Sequence, residues 1–346
     1  MGTSSETRTL TDLNIATADF MEGVVSEIKY DNVISSRLLS KSEGISGGER
    51  IKVPLEYGEE EVYTMGKYSP YNLQPKEILD AAFFEWIHIH GDMIIPEDEL
   101  DVKNVGKEQQ IGLAKTKSKN ISRTMKKKFS TLLFTAVADL GDNDPDSLVK
   151  TVATRDNTVG GLDASAITAF SWNPVQLDLT AQSLTRENLL DTSHTYCIDK
   201  ILRKIVGQCT YDGNDGPTAI LVTQGIFDIY EEYLMQQKRY DGKAMTADGG
   251  FNALLFRNIP LFVDNNVPGG KLNDVTAGTG MMMILNEKYL GYRHSTHINF
   301  KFVPWKHKED QPIYFSMLDW YGSFICSRRD RQGSVLGLPT DATLNA

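Results

Sequence analysis

The sequence predicts an α+β fold, and three observations carry that prediction. A stretch of roughly 30 residues around position 120 repeats apolar residues at helical spacing, well beyond the usual three to four turns. Several other segments alternate apolar and polar residues with the period of two that marks a strand with one buried face. Helices and strands also follow one another without a regular strand–helix–strand rhythm, which argues against a doubly wound parallel sheet.

Taken in chain order, residues 1 to about 25 are polar and rich in Ser and Thr, with Leu10, Leu13 and Phe20 as scattered anchors. They read as an arm that needs a partner to order it. Ile51, Val53, Leu55 and Tyr57 then alternate with Arg50, Lys52, Pro54 and Glu56, which predicts a strand with one apolar face. Pro54 cannot donate a ladder hydrogen bond and places that strand at an edge. Gly58, Glu59 and Glu60 turn the chain, and Glu61 to Met65 is expected to return antiparallel. A lone hairpin is marginal in water, so its apolar face is expected to have no partner within its own chain.

Pro75 suits the first turn of a short helix, KEILDAAF. Residues 83–95 read as a strand buried on both faces, with Phe84, Trp86, His88 and His90 on one side. The acidic cluster Glu97, Asp98, Glu99 and Asp101 precedes the long helix, where carboxylates suit the positive end of the dipole. In that helix Ile111, Ala114, Ser118, Ile121, Met125, Phe129, Leu132 and Ala136 recur at spacings of three and four. About 30 residues at 1.5 Å each make a strut of about 45 Å. Residues 150–183 read as strands and loops, and 185–207 as one amphipathic helix. A buried strand Ala219–Val222, a helix over 224–239, a strand pair near 254–263 and a strand Met281–Leu285 follow. Three alternating strands close the chain: HINFKFVPW, QPIYFSMLDW and YGSFICSRR.

Composition narrows the function classes. At 346 residues the chain can hold about two domains' worth of core. Its 40% apolar and 24% charged content is ordinary for a globular protein and suggests neither disorder nor membrane residence. The longest apolar runs are far too short to span a bilayer, and the start MGTSSETRTL has no charged-then-apolar leader, so no membrane partner is expected. Cys197, Cys209 and Cys326 lack paired spacing, which favours reduced thiols in a cytoplasmic setting. Net charge is −10, yet residues 103–128 hold nine Lys or Arg against one acid, Glu108, leaving −18 on the remainder. Such asymmetry points to partners chosen by charge, whether nucleic acid or another copy of the chain.

The candidates for chemistry are weak. Gly44-Ile45-Ser46-Gly47-Gly48 matches the G-x-S-x-G nucleophile pattern, but a strand follows the serine where a helix is needed, so a hinge is the better reading. Asp142, Asp144 and Asp146 imitate an EF-hand start, with Ser147 and Ala153 where glycine and glutamate belong. His88 and His90 are two potential metal ligands without a third at a recognisable spacing. His194 and Cys197, close on a predicted helix, read as packing. No phosphate-binding glycine loop is present in the sequence. The expectation is therefore no enzyme, no cofactor and no metal.

The basic helix face, with Lys115, Lys119, Arg123, Lys126 and Lys127, leaves three readings open: a solvated face, a phosphate-backbone contact, or a partner for an acidic surface of another subunit. The hairpin tip Glu59, Glu60, Glu61 is one such acidic surface. Arg328, Arg329 and Arg331 make a second basic patch with the same ambiguity.

The order of parts resembles a tailed-bacteriophage major capsid protein of the Hong Kong 97 type. The likeness lies in the polar arm, the hairpin opening on GGERIKVPLEYG, the strand running into EDELDVKNVGKEQQIGLAKTKSKNISRTMKKK, and GGLDASAITAFSWNP. It continues through GNDGPTAILVTQGIFDIYEEYLMQQKRY, FNALLFRNIPLFVDNNVPGG, ILNEKYLGYRH and SFICSRRDRQGSVLGL, from about residue 10 to 338. The resemblance implies an N-terminal arm (1–25) and a peripheral domain (26–184) with an extended hairpin loop (44–75) and a spine helix (106–139). It further implies an axial domain (185–295) and C-terminal strands (296–346) that return to the peripheral domain. The implied function is a structural one: self-assembly into the icosahedral shell around phage double-stranded DNA. Implied partners are identical subunits in hexamers and pentamers, a separate scaffolding protein, a portal, and packaged DNA by non-specific contact. The implied location is the virion, after assembly in the host cytoplasm. Ile51, Val53, Leu55, Tyr57, Glu59, Glu60 and Glu61 would then contact a neighbouring subunit. The alternative is an α+β nucleic-acid-binding protein using residues 103–128.

Overall fold

The computed structural model describes residues 33–56, 62–67, 79–103, 107–163 except 156, 172–236 except 212 and 214, 245–247, 251–268 except 265, and 280–339. Near the N-terminus it describes residues 11, 13–15, 17, 20 and 21.

Among the described residues the fold rests on two larger sheets and a small one. Ile313–Cys326 is the long central strand of a five-stranded sheet, with Ile87–Pro96, Lys301–His307 and Leu290–Ser295 paired antiparallel to it. Glu43–Ile45 adds a parallel strand beside Leu290–Ser295. Two of the three strands expected at the C-terminus are thus one 14-residue strand. The third segment of that region, Gly333–Leu338, goes into a seven-stranded sheet with Val175–Asp178, Gly280–Leu285, Ala219–Val222, Ile259–Val263, Phe251–Phe256 and Met245–Ala247. Gly337 is required there: its φ is +78°, and a Cβ would lie 2.3 Å from the Thr180 backbone nitrogen.

The helix Lys107–Phe134 runs for 28 residues, shorter than the expected 106–139: Ala136, counted in its apolar stripe, is extended and exposed beyond its end, before a short 3-10 turn over Val137–Asp139. Ala114, Ser118, Met125, Phe129, Leu132 and Leu133 are buried. They face the inner side of the five-stranded sheet, where Ile87, Ile89, Met93 and Ile95 alternate inward. The approach is close enough that a Cβ on Gly91 would meet Ile121 Cδ1 at 2.8 Å. Phe129 sits in an aromatic nest, edge-on to Trp320 at 4.9 Å and to Tyr292 at 6.0 Å, and 5.7 Å from Phe300.

The expectation that residues 83–95 form a strand buried on both faces is overturned. Ile87–Pro96 alternates strictly between buried and exposed, because its other face carries His88, His90 and Asp92, which stay at the solvent. The predicted helix KEILDAAF is likewise replaced by a strand, Leu79–Phe84. Its alanines fit a helix by propensity, but backbone pairing with Ile51–Glu56 decides. The 185–207 helix is broken into Arg186–Leu190 and Ile198–Cys209. Thr185 and Asn188 form a capping box at the first piece, and Asp191 Oδ1 accepts from the Ser193 backbone at 2.8 Å to turn the chain. The described part of the N-terminal arm is helical and packs on its own chain. Leu13 and Met21 enter the main core, and the Asn14 side chain exchanges two hydrogen bonds with the Trp305 backbone.

Candidate assembly surfaces

Ile51–Glu56 does form a strand, but its return strand is Leu79–Phe84 and not the expected Glu61 to Met65, of which the described residues 62–65 are not in a strand. Ile51 pairs with Phe84, Val53 with Ala82 and Leu55 with Asp80. The two strands make a sheet of their own, so Pro54 stands at an edge as expected.

The apolar face is not left for a neighbour. Ile51, Val53 and Leu55 are buried in a cluster with Ala82, Phe84, Val159, Trp172 and Ile325. Trp172 is the platform, with its indole N–H donating to the Val159 carbonyl at 3.3 Å. The Gly160 carbonyl accepts from Phe83 N at 2.8 Å and docks the hairpin base. Gly160 adopts φ +59° directly beneath the Phe84 ring, where any Cβ would come within 2.9 Å. Each large apolar side chain buried here contributes about 1.5–3 kcal/mol to folding of the subunit itself. Trp172 was visible in the sequence, yet no spacing rule ties it to a strand some 120 residues earlier. What the hairpin leaves outward is Leu79 and Phe83, with Val62, Tyr63 and Met65 also exposed in the loop. Tyr57, Glu59, Glu60 and Glu61 lie outside the described residues.

On the long helix, Lys115, Lys119, Arg123 and Lys127 are exposed, while Lys126 is half-buried. Lys115 and Lys119 lie 5.9 and 6.0 Å from the Phe20 ring centre, so part of this charge overlies an aromatic of its own chain.

The second basic patch proposed from the sequence does not exist as a surface. Arg329 is fully buried and donates to the carbonyls of Thr151, Asn157, Trp172 and Thr154 at 2.9–3.0 Å. Arg328 forms a two-pronged pair with Asp330, and Arg331 stacks 3.9 Å over Tyr211. These arginines hold loops; an arginine run reads as basic only until its partners are known.

The remaining motif residues have local roles. Ser46 is exposed between the strands Glu43–Ile45 and Ile51–Glu56, with no helix after it. Asp146 binds Lys150 at 2.6 Å and accepts from Gly160 N, and Asp144 accepts from Gly141 N. His194 sits in the turn between two helices, and Cys197 is buried. Burial pushes the Cys209 and Cys326 thiols up to about 12, which keeps them protonated and inert. His88 and His90 differ from these: both meet Asp319, a residue more than 220 positions away on the neighbouring strand. The hydrogen bond to Asp319 raises His90 above its ordinary 6.5, burial opposing. Among the described residues no helix is long and apolar enough to cross a membrane.

No family model and no curated protein matches the chain. Solved structures do. The chain is similar to one from the cyanophage A-1(L) capsid asymmetric unit, with TM-score 0.57 and 14% identity over 89% of this chain and 93% of that one. It is similar to a chain of the satellite phage P4 procapsid, with TM-score 0.52 and 10% identity over 93% and 90%. It is also similar to one from the capsid of cyanophage P-SCSP1u, with TM-score 0.50 and 11% identity over 90% and 89%. At such identities the likeness is one of fold, and the fold is that of phage capsid proteins of the Hong Kong 97 type.

Proposed function

We propose that this chain is the major capsid protein of a tailed bacteriophage. Identical copies would assemble as hexamers and pentamers into an icosahedral shell around double-stranded DNA. The observation that carries the reading is the match of fold over 89% of the chain to a subunit of a phage capsid. The five-stranded sheet, the hairpin and the long helix take the peripheral role; the seven-stranded sheet with its helices takes the axial one. A scaffolding protein, a portal and non-specific DNA contact complete the proposed partners, with the virion as the site of action. No comparison favours the nucleic-acid-binding reading, which predicts small oligomers and salt-sensitive binding instead.

Gel filtration followed by negative-stain microscopy of the purified chain tests this, with closed shells expected; monomers or dimers under all conditions would overturn it. The assembly role of the hairpin is tested at its loop. Replacing residues 57–78 with Asn-Gly joins two strands already paired at Glu56 and Leu79. The expected product is a folded subunit that cannot close shells. The proposed pairing of the acidic tip with a neighbour's basic helix is tested by reversing Glu59, Glu60 and Glu61 to Lys. Shells should return when Lys115, Lys119 and Arg123 are reversed to Glu in the same chain.

A further inference from the structure

We propose that His88, His90 and Asp319 form a binding site for a divalent transition-metal cation of the zinc, cobalt and nickel class, on the open face of the five-stranded sheet. The argument begins with strand register. Residues 88 and 90 both point outward because a strand alternates, and Asp319 stands directly across from His90. His88 Nε2 lies 2.9 Å and His90 Nδ1 2.5 Å from the same carboxylate oxygen, Asp319 Oδ1. The three candidate ligand atoms all fall within 4.8 Å of one another. An ion held tetrahedrally at about 2.0–2.1 Å needs its ligands about 3.3 Å apart, so small side-chain shifts suffice to seat it.

The surroundings are those of a metal site as well as of a hydrogen-bonded cluster. The other nitrogen of His90, Nε2, is 2.5 Å from Asp92 Oδ1. With an ion on Nδ1, that carboxylate would hold the remaining ring hydrogen on Nε2 and make Nδ1 more basic, the usual outer partner of a ligating histidine; the ion displaces the hydrogen that Nδ1 otherwise shares with Asp319. Tyr321 stacks on the His88 ring at 4.0 Å and 9°, which restricts its rotation. All five side chains stand on two paired strands and not on a loop, so the geometry is held by the ladder between Ile87–Pro96 and Ile313–Cys326. Two imidazoles and one carboxylate suit zinc-class ions over magnesium or calcium, which prefer all-oxygen shells. The His88 and His90 side chains are 37% and 35% exposed, so an ion can enter and one coordination position faces water. Bound there, the ion would tie the strand of residues 87–96 to its neighbour on the side the long helix does not cover. The sequence expectation of no metal rested on a missing third ligand, and the sheet supplies it.

The test uses the untagged full-length chain, stripped with chelator and dialysed. Titration with Co2+ at pH 7.5 should saturate at one equivalent per chain, with the visible d–d absorption of four- or five-coordinate cobalt, and Zn2+ should displace it. His88→Asn, His90→Asn and Asp319→Asn should each abolish that spectrum, and Asp92→Asn should weaken binding about 10–100-fold while keeping the stoichiometry. Affinity should fall between pH 7.5 and pH 5.5 as protons compete for the imidazoles. His194→Asn serves as the control and should bind as the parent does. Because the substituted side chains lie on an open face, the metal-free variants should keep the parent's circular dichroism. Absence of saturable binding in the parent chain, or an unchanged cobalt spectrum in any of the three ligand variants, overturns the proposal.

Discussion

The two large sheets use their faces in opposite ways. Ala219–Val222 and Gly280–Leu285, central in the seven-stranded sheet, separate two cores. Leu221, Met283 and Leu285 pack into the core that holds the long helix. Ile220, Val222, Met282 and Ile284 pack into the core beneath the helices Ile198–Cys209 and Gln224–Gln236. Ile87–Pro96, in the five-stranded sheet, serves one core only and turns His88, His90, Asp92 and Ile94 outward. A strand that divides two cores must be apolar at every position; a strand that closes one core has alternate positions to spare for charge, metal or a neighbour.

The largest effect that tests this contrast is Leu221→Asp, which places an unpaired carboxylate in a wall with no route to water; no folded protein should be recovered. Leu221→Ala should lower stability by about 2–5 kcal/mol in urea unfolding, while Ile94→Ala should change it by no more than about 0.5 kcal/mol. Equal costs for these two alanines would break the comparison.

Arg329 lies at the junction, between the last strand of one sheet and the last strand of the other. Arg329→Ala strands four carbonyls, two of them in buried bonds and two in partly buried ones, and since bonds to a charged group are each worth about 1.5–3 kcal/mol, a loss of at least about 3 kcal/mol is expected. Arg329→Lys should recover only part of it, because one ammonium cannot reach four acceptors set around a planar fork.

Glycines give a finer test. A Cβ on Gly322 would lie 2.4 Å from the Arg293 carbonyl and 2.5 Å from the Trp320 ring, so Gly322→Ala should cost about 1–3 kcal/mol or more and open the five-stranded sheet at that pair. Gly207, on the exposed side of a helix with nothing near its Cβ position, should gain about 0.5–1 kcal/mol on change to Ala. The smallest signal is chemical. Cys326 ends the central strand of one sheet, and Cys209 lies under the last strand of the other, with its sulfur 2.7 Å from a Cβ built on Gly333. Neither thiol should react with Ellman's reagent at pH 8 in the native protein, and all three cysteines should react in guanidinium. Rapid native labelling of either would show that its sheet edge opens.

Much of this architecture was legible in advance. The 28-residue helix, its buried stripe, the apolar strands near 220 and 283, and the pair near 254–263 all announce themselves by period or by unbroken apolarity. Each depends on side chains within a few residues of one another. Two of the failures have the opposite property. Leu79–Phe84 reads as a helix from its own residues and becomes a strand because Ile51–Glu56 offers it a ladder. His88 and His90 lacked a third partner until the sheet laid Asp319 beside them.

By itself, then, the sequence determined the long helix with its buried stripe and the strongly apolar strands near 220 and 283, since those are written in spacing. The tertiary structure alone decided which strand lies beside which, that the hairpin rests on Trp172 of its own chain, and that Arg329 is a buried clamp and not a surface charge. The reason is physical: strand pairing runs through backbone N–H and C=O groups that every residue carries, so partner choice has no local signature. It is settled only when distant segments compete for the same core.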